Sequence, residues 1–258
     1  MTVSLRILGS NLIDNATLTA SSAVSTLPVD RLATEDIQDI WRATASTAYV
    51  LADLGASFEI GWAMLVNSNA GLTDAARVRV STSDATGAAG DAYDSGTVIA
   101  AANPATFARF VHPIEPAVTG RYVRIDLTQA AAPSAGRMVV GPTWTPTYHF
   151  SLLTPWEPLS RDWSVRSRSI GLNLFFDRKA RQRGLRFTLR GLPTSEVEAE
   201  IETLNRINGT SKDVMVCRDA TASDLGLTTF WGVLETSISY PQTDDDFYIS
   251  EFRLWDRV

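Results

Sequence analysis

Cysteine, histidine and lysine are nearly missing from these 258 residues. Cys217 is the single cysteine, which excludes an internal disulfide and a cysteine-based metal site. The two histidines, His112 and His149, fall in separate halves of the chain. Acyl-transfer chemistry wants a nucleophile, a base and an orienting group in one place. Lysine occurs only at Lys179 and Lys212, so arginine supplies almost all of the 23 cations. No apolar run reaches the roughly 18 residues of a membrane-spanning helix, and the opening MTVSLRILGSN is too short an apolar stretch for a signal peptide. There is no GxSxG elbow, HExxH helix or phosphate-cradling glycine loop. The net charge of −6 argues against capture of a nucleic-acid backbone. These gaps point away from catalysis, cofactors and membrane insertion. A glycosidase, which needs only two suitably spaced carboxylates, stays open among the 29 acids.

Strand-like alternation is abundant. ARVRVS (76–81) sets Val78 and Val80 opposite Arg77 and Arg79. RYVRIDL (121–127) sets Val123, Ile125 and Leu127 opposite Tyr122, Arg124 and Asp126. Further strands are expected at AYVLADLG, WAMLV, MVVG (138–141), SIGLNLFF (169–176), GLRFTLRG (184–191), DVMVCRD (213–219), TTFWGVLE (228–235) and DFYISEFRLWD (246–256). One helix is expected over 195–208. Ser195 and Glu198 fit a capping box, Val197, Ile201, Leu204 and Ile207 form an apolar stripe, and Gly209 ends it. The fold class expected is mainly β, two β modules with one helix.

The loop SDATGAAGDAYDSG (83–96) and the segment TQAAAPSAG (128–136) read as turns. Residues 142–163 carry four prolines and three tryptophans, which suits an extended connector. Domains are therefore expected at 1–141 and 163–258, joined by 142–162. Trp144, Tyr148 and Trp156 are expected to pack, either on a partner or on the domain's own core.

Four sets of candidate contacts stand out, each with a plainer reading beside it. Trp41 and Arg42 offer a face to stack on a sugar and a fork to bind a carboxylate, and Trp41 reads more readily as core. Asn67 and Asn69 offer amides to a glycan or simply make turns. Asp84, Asp91 and Asp94, and again Asp244, Asp245 and Asp246, present oxygens of the kind hard cations take. Aspartate clusters are also ordinary solvated turns, so no metal is expected. The last signal is charge segregation. Residues 161–190 hold nine cations against Asp162 and Asp177, and residues 191–258 hold thirteen acids against five cations. Opposed faces favour head-to-tail packing of copies, with Arg178, Lys179, Arg181 and Arg183 facing Glu196, Glu198, Glu200 and Glu202. The alternative is pairing across neighbouring strands within one chain.

The order DIWRATASTAYVLADLGASFEIGWAMLVN (39–67) followed by RYVRIDL resembles the galactose-binding-like, discoidin-type jelly roll, which implies a recognition module in the first half. The second half, from GRMVVGPTWTPTYHF through LWD, resembles tail-tip proteins of long-tailed phages and gene transfer agents, with the usual domain order reversed. That resemblance implies a ring-forming β-sandwich or barrel of the tail-tube type and a structural protein of the virion tail tip. Assembly would then occur in a bacterial host cytoplasm, as a trimer or hexamer around the tail axis. Its partners would be tube and hub proteins and host-surface carbohydrate. The alternatives carried forward are a carbohydrate-binding module and a glycan-cleaving enzyme.

Overall fold

The computed structural model describes residues 4–71, 73–99, 109–148, 156–168, 173–244 and 246–257. His149 and Asp245, singled out above, lie outside the described residues, as does the first half of SIGLNLFF. The chain is mainly β, with several antiparallel sheets and one principal helix.

It divides into two compact units. The smaller comprises Met1–Gly9, Thr145–Val216 and Phe230–Val258, and the larger comprises Ser10–Trp144 and Cys217–Thr229. Contiguous domains were expected, and the structure instead exchanges two short segments. The first is the strand β1 (Arg6–Leu8), which belongs to the smaller unit.

The larger unit is built on β2 (Thr17–Ala20), β3 (Trp41–Arg42), β4 (Thr47–Val66), β5 (Ala75–Ser81), β6 (Tyr93–Asp94), β7 (Val98–Ile99), β8 (Arg109–Thr128), β9 (Ser134–Ala135) and β10 (Arg137–Gly141). Its main sheet runs β10-β4-β8-β5-β6, with β2 on β4 and β7 on β5. On β4 the even-numbered Ala48, Val50, Ala52 and Leu54 enter the core first. Beyond a register irregularity between Ile60 and Trp62, the odd-numbered Ala63 and Leu65 take over. Between the pairs made by those two residues β4 advances by two residues and β8 by five, so the ladder is irregular there, and the parity of the core-facing side chains of β4 changes across it. Trp62, Met64 and Val66, on the second face, are buried as well. This explains the unbroken apolar run WAMLV, since strands covered on both sides lose their alternation. The excursion Cys217–Thr229 helps cover that region. Its short helix, Leu225–Thr228, contacts β8, and Arg109 donates from Nη1 to the Thr229 carbonyl at 3.0 Å.

The smaller unit continues with β11 (Glu157–Asp162), β12 (Val165–Arg168), β13 (Leu174–Asp177), β14 (Arg181–Pro193), β15 (Asp213–Cys217), β16 (Thr229–Leu234), β17 (Gln242–Asp244) and β18 (Phe247–Asp256). Its sheet runs β1-β15-β16-β18-β14-β11, with β17 on β18. The last six residues of the expected connector therefore form a strand. Leu185, Phe187 and Leu189 are buried, and Phe187 stacks on Phe252 with ring centroids 4.6 Å apart. Such a pair adds about 1 kcal/mol beyond its burial. The β14–β18 ladder slips between Arg190 and Leu192, where Gly191 has φ +74°, a conformation that costs a side-chain-bearing residue dearly.

The helical segment consists of α1 (Thr194–Glu196), a π turn at Val197–Ile201 and α2 (Glu202–Ile207). The expected capping box does not form. Pro193 occupies the N-cap with no side-chain hydrogen bond, and Glu198 is exposed. Val197, Ile201 and Leu204 are buried as the stripe requires, whereas Ile207, the last residue of α2, is exposed. Gly209, with φ +50°, ends the helix by donating to the Leu204 carbonyl at 3.1 Å. Asn205 ties it to the sheet side by exchanging two 2.8 Å hydrogen bonds with the backbone of Ile238.

Candidate binding surfaces

One end of the larger unit gathers residues far apart in sequence. β3 pairs with β9, placing Trp41 opposite Ala135 and Arg42 opposite Ser134. Asn69 clasps the same strand: its Oδ1 accepts from Ser134 N at 2.8 Å, and its Nδ2 donates to the Ala132 carbonyl at 2.9 Å. Asn67, at φ +53°, donates from Nδ2 to the Ile37 carbonyl at 2.8 Å. All four residues read from the sequence as glycan contacts thus converge around 132–136. Their roles differ from that reading. Trp41 is fully buried, with its Nε1 donating to the Ser22 carbonyl at 3.3 Å, so no sugar can stack on it. The amide nitrogens of Asn67 and Asn69 are committed to backbone. Arg42 alone presents an exposed side chain with no partner among the described residues.

The glycine-rich loop 83–96 is held by a charge lattice on β5 and β8. Arg79 and Arg124 share Asp126, at 2.5 and 2.9 Å, and donate to the loop carbonyls of Ala88 and Thr86. The Arg124 guanidinium also lies 3.7 Å over the Tyr49 ring. The three aspartates of the loop do not converge. Asp84 accepts from Ala89 N at 2.7 Å and Thr86 N at 2.9 Å, Asp91 accepts from Thr82, and Asp94 accepts from Arg77 Nε at 2.8 Å. Each carboxyl titrates below the usual range for that reason, and Asp94, beside the Arg77 guanidinium, falls to about 2. Among the described residues, no group of three His, Cys, Asp or Glu is arranged to hold a metal.

His112 sits half-buried on β8. Its Nε2 lies 2.7 Å from the Tyr93 hydroxyl, its ring stacks on Phe110, and burial lowers its pKa. Cys217 is buried, and desolvation pushes its thiol up. Neither has the surroundings of an activated catalytic group.

In the smaller unit the segregated charges largely pair within the chain, which corrects the expectation of two separate charged faces. Arg183 meets the fully buried Asp256 at 2.5 Å, Arg186 meets Glu251 at 2.6 Å, and Arg161 approaches Glu235 to 3.7 Å. The cause is topological. β14 lies between β11 and β18, so the cationic and acidic strands are neighbours. Arg183 therefore leaves the set of contact candidates. Arg181 retains an exposed pair with Asp162 at 3.4 Å, Lys179 pairs with Asp177 at 2.9 Å, and Arg178 is exposed with no partner among the described residues. Of the glutamates, Glu196 is tied to Thr147, and Glu200 has its pKa raised by burial and by Glu196. Glu198 and Glu202 face solvent. Trp144 is half-buried, and Trp156 is 36% exposed.

An open cleft of ≈ 770 Å³ lies beside the strand pair β12–β13, lined by Asp162, Arg166, Phe176, Arg178, Lys179 and Arg181. Sequence reasoning missed this strand pair as a surface. Val165, Leu174, Phe175 and Phe176 are 57%, 51%, 57% and 55% exposed. From the sequence SIGLNLFF reads only as a strand, and the topology shows that β12–β13 is a separate two-stranded sheet.

No family model matches this chain, and no curated protein matches it. Solved structures similar to it include the lectin domain of lectinolysin complexed with Lewis B antigen. That likeness has a TM-score of 0.41 at 15% identity, covering 51% of this chain and 95% of that one. A fucose-binding module of Streptococcus pneumoniae gives 0.39 at 11% identity, covering 52% and 95%. A chitosan-binding module from a Paenibacillus sp. IK-5 chitosanase/glucanase, in complex with chitotriose, gives 0.39 at 19% identity, covering 51% and 100%. Likeness at this level carries no argument about what this chain binds.

Proposed function

We propose that this protein acts by non-covalent recognition, and that its larger unit is a carbohydrate-binding module. One observation carries the reading: loops from residues 37–46, 67–71 and 129–136 meet at one end of the sandwich around Ser134, held by the Asn69 clasp, and present Arg42 with an unpaired guanidinium. A rigid loop end with an uncommitted fork of donors suits hydroxyls or a carboxylate on a sugar. The test is calorimetry of the full chain against a panel of neutral and acidic oligosaccharides. Binding that weakens about tenfold or more in Arg42→Ala, with an unchanged melting temperature, supports the reading. No saturable binding anywhere in the panel overturns it.

A second reading is a structural subunit of a phage tail tip, assembling as a ring with tube and hub partners in the virion. It is favoured by one specific observation, the exposed apolar side chains of β12–β13 on the smaller unit. Light scattering on the full chain over a range of concentrations checks it. A mass fixed at one chain throughout would remove it.

A further inference from the structure

We propose that β12–β13 and the cationic cleft beside it form a docking surface for a second copy of this chain, whose acidic helix face fills the cleft. The inference rests on the second reading above and names its contact.

Both faces of this strand pair are uncovered. The register sets Ser167 opposite Phe175 and Arg166 opposite Phe176, so Val165 and Phe175 lie on one face and Leu174 and Phe176 on the other. All four are more than half exposed. Isolated two-stranded sheets are marginal in water, and contiguous exposed apolar groups mark places where another surface belongs. A polysaccharide would satisfy the cations of the cleft and leave these side chains wet. A protein surface covers both.

Charge identifies which protein. After internal pairing, the cations left without an acidic partner among the described residues include Arg166, Arg168 and Arg178, all on or beside this strand pair. The complementary residue of charge is on the helix. Glu198 and Glu202, one helical turn apart and both exposed, line a shallow groove of ≈ 410 Å³ with Asn205, Arg206 and Tyr240. The Tyr240 hydroxyl donates to Glu202 at 3.4 Å, and apolar Ile207 lies exposed just beyond. One chain thus carries both halves of a heterologous contact, an apolar arm rimmed with arginine and an acidic groove.

The experiment uses the full chain and reads the dissociation constant of self-association by sedimentation and light scattering. The variants are R166E/R178E in the cleft, E198R/E202R on the helix, and F175S/F176S on the arm. Each is expected to weaken association about tenfold or more at unchanged circular dichroism. Because the contact is head-to-tail, mixing the two charge-reversed variants restores association, since every cleft then meets a helix of opposite sign. Wild-type chains that stay monomeric would sink both this proposal and the assembly reading. Association that ignores all three variants, or that mixing fails to restore, would sink this proposal and leave assembly standing. Dextran sulfate saturating the cleft of a chain that does not self-associate would reassign the surface to an anionic polymer.

Discussion

Arg183 donates from Nε to Oδ2 of Asp256 at 2.5 Å, and the other oxygen of that fully buried carboxylate accepts the Trp231 amide at 2.8 Å. A cation that looked like part of a contact surface is thus a strut inside the fold. Removing one partner of a buried pair strands the other without water or counter-charge, at a cost of about 3–5 kcal/mol. Arg183→Ala is expected to lower stability by that order in urea unfolding. Arg178→Ala, at an exposed position, should change it by less than about 0.5 kcal/mol.

Trp41 and Arg42 are adjacent in sequence and opposite in consequence. Trp41→Ala empties a core site and should destabilise by about 3–5 kcal/mol. Any loss of glycan affinity there would follow loss of structure. Arg42→Ala should leave the melting temperature in place, so calorimetry on the two variants separates packing from recognition.

Acid should weaken the larger unit in a defined window. The Asp94 carboxyl, hydrogen-bonded to Arg77, titrates near about 2, below its ordinary 3.8. A lowered carboxyl pKa contributes stability that is complete above the ordinary value and lost as pH falls through the folded one. Asp94→Asn should therefore be less stable than wild type near about pH 6, and the difference should close between pH 3.8 and about 2. An unchanging gap across that window would show that Arg77 is not the cause.

Gly136 lies where β9 turns into β10, and a Cβ there would run into the Ile37 carbonyl, which is backbone and has little room to yield. Gly136→Ala should cost about 1–3 kcal/mol. It should also disturb the Asn67–Ile37 hydrogen bond, visible as amide shifts in residues 36–38.

Cys217, buried with a raised thiol pKa, should resist alkylation in the folded chain. Its labelling rate is expected to follow global unfolding as urea rises. Fast labelling in native buffer would contradict its burial.

The half-exposed strands were the most legible part of the sequence. ARVRVS and RYVRIDL show their alternation openly, and β5 and β8 pair Val78 with Ile125 and Val80 with Val123. The helix was legible from its stripe and its closing glycine, but the π turn was not, because a one-residue widening leaves no compositional mark. Pairing hid two further features. Alternating charge along β14 says nothing about which strand lies beside it, so Arg183 read as a contact residue until β18 brought Asp256 to it. The exposure of LFF in β13 was not legible, because apolarity, taken alone, says nothing about what covers a strand. At the loop end, the sequence indicated the right residues for a different purpose: Trp41, Asn67 and Asn69 shape the platform, and Arg42 is left to face outward.

The short strand near the start of the chain has a practical consequence for anyone cutting this protein in two. β1 sits at the margin of the sheet beside β15, while its unit's remaining residues begin at Thr145. A recombinant piece starting there would bare the flank of β15, and uncapped flanks stick to one another. Clustering of such a piece would be an artefact of the scissors, and only the uncut polypeptide can report on genuine self-recognition.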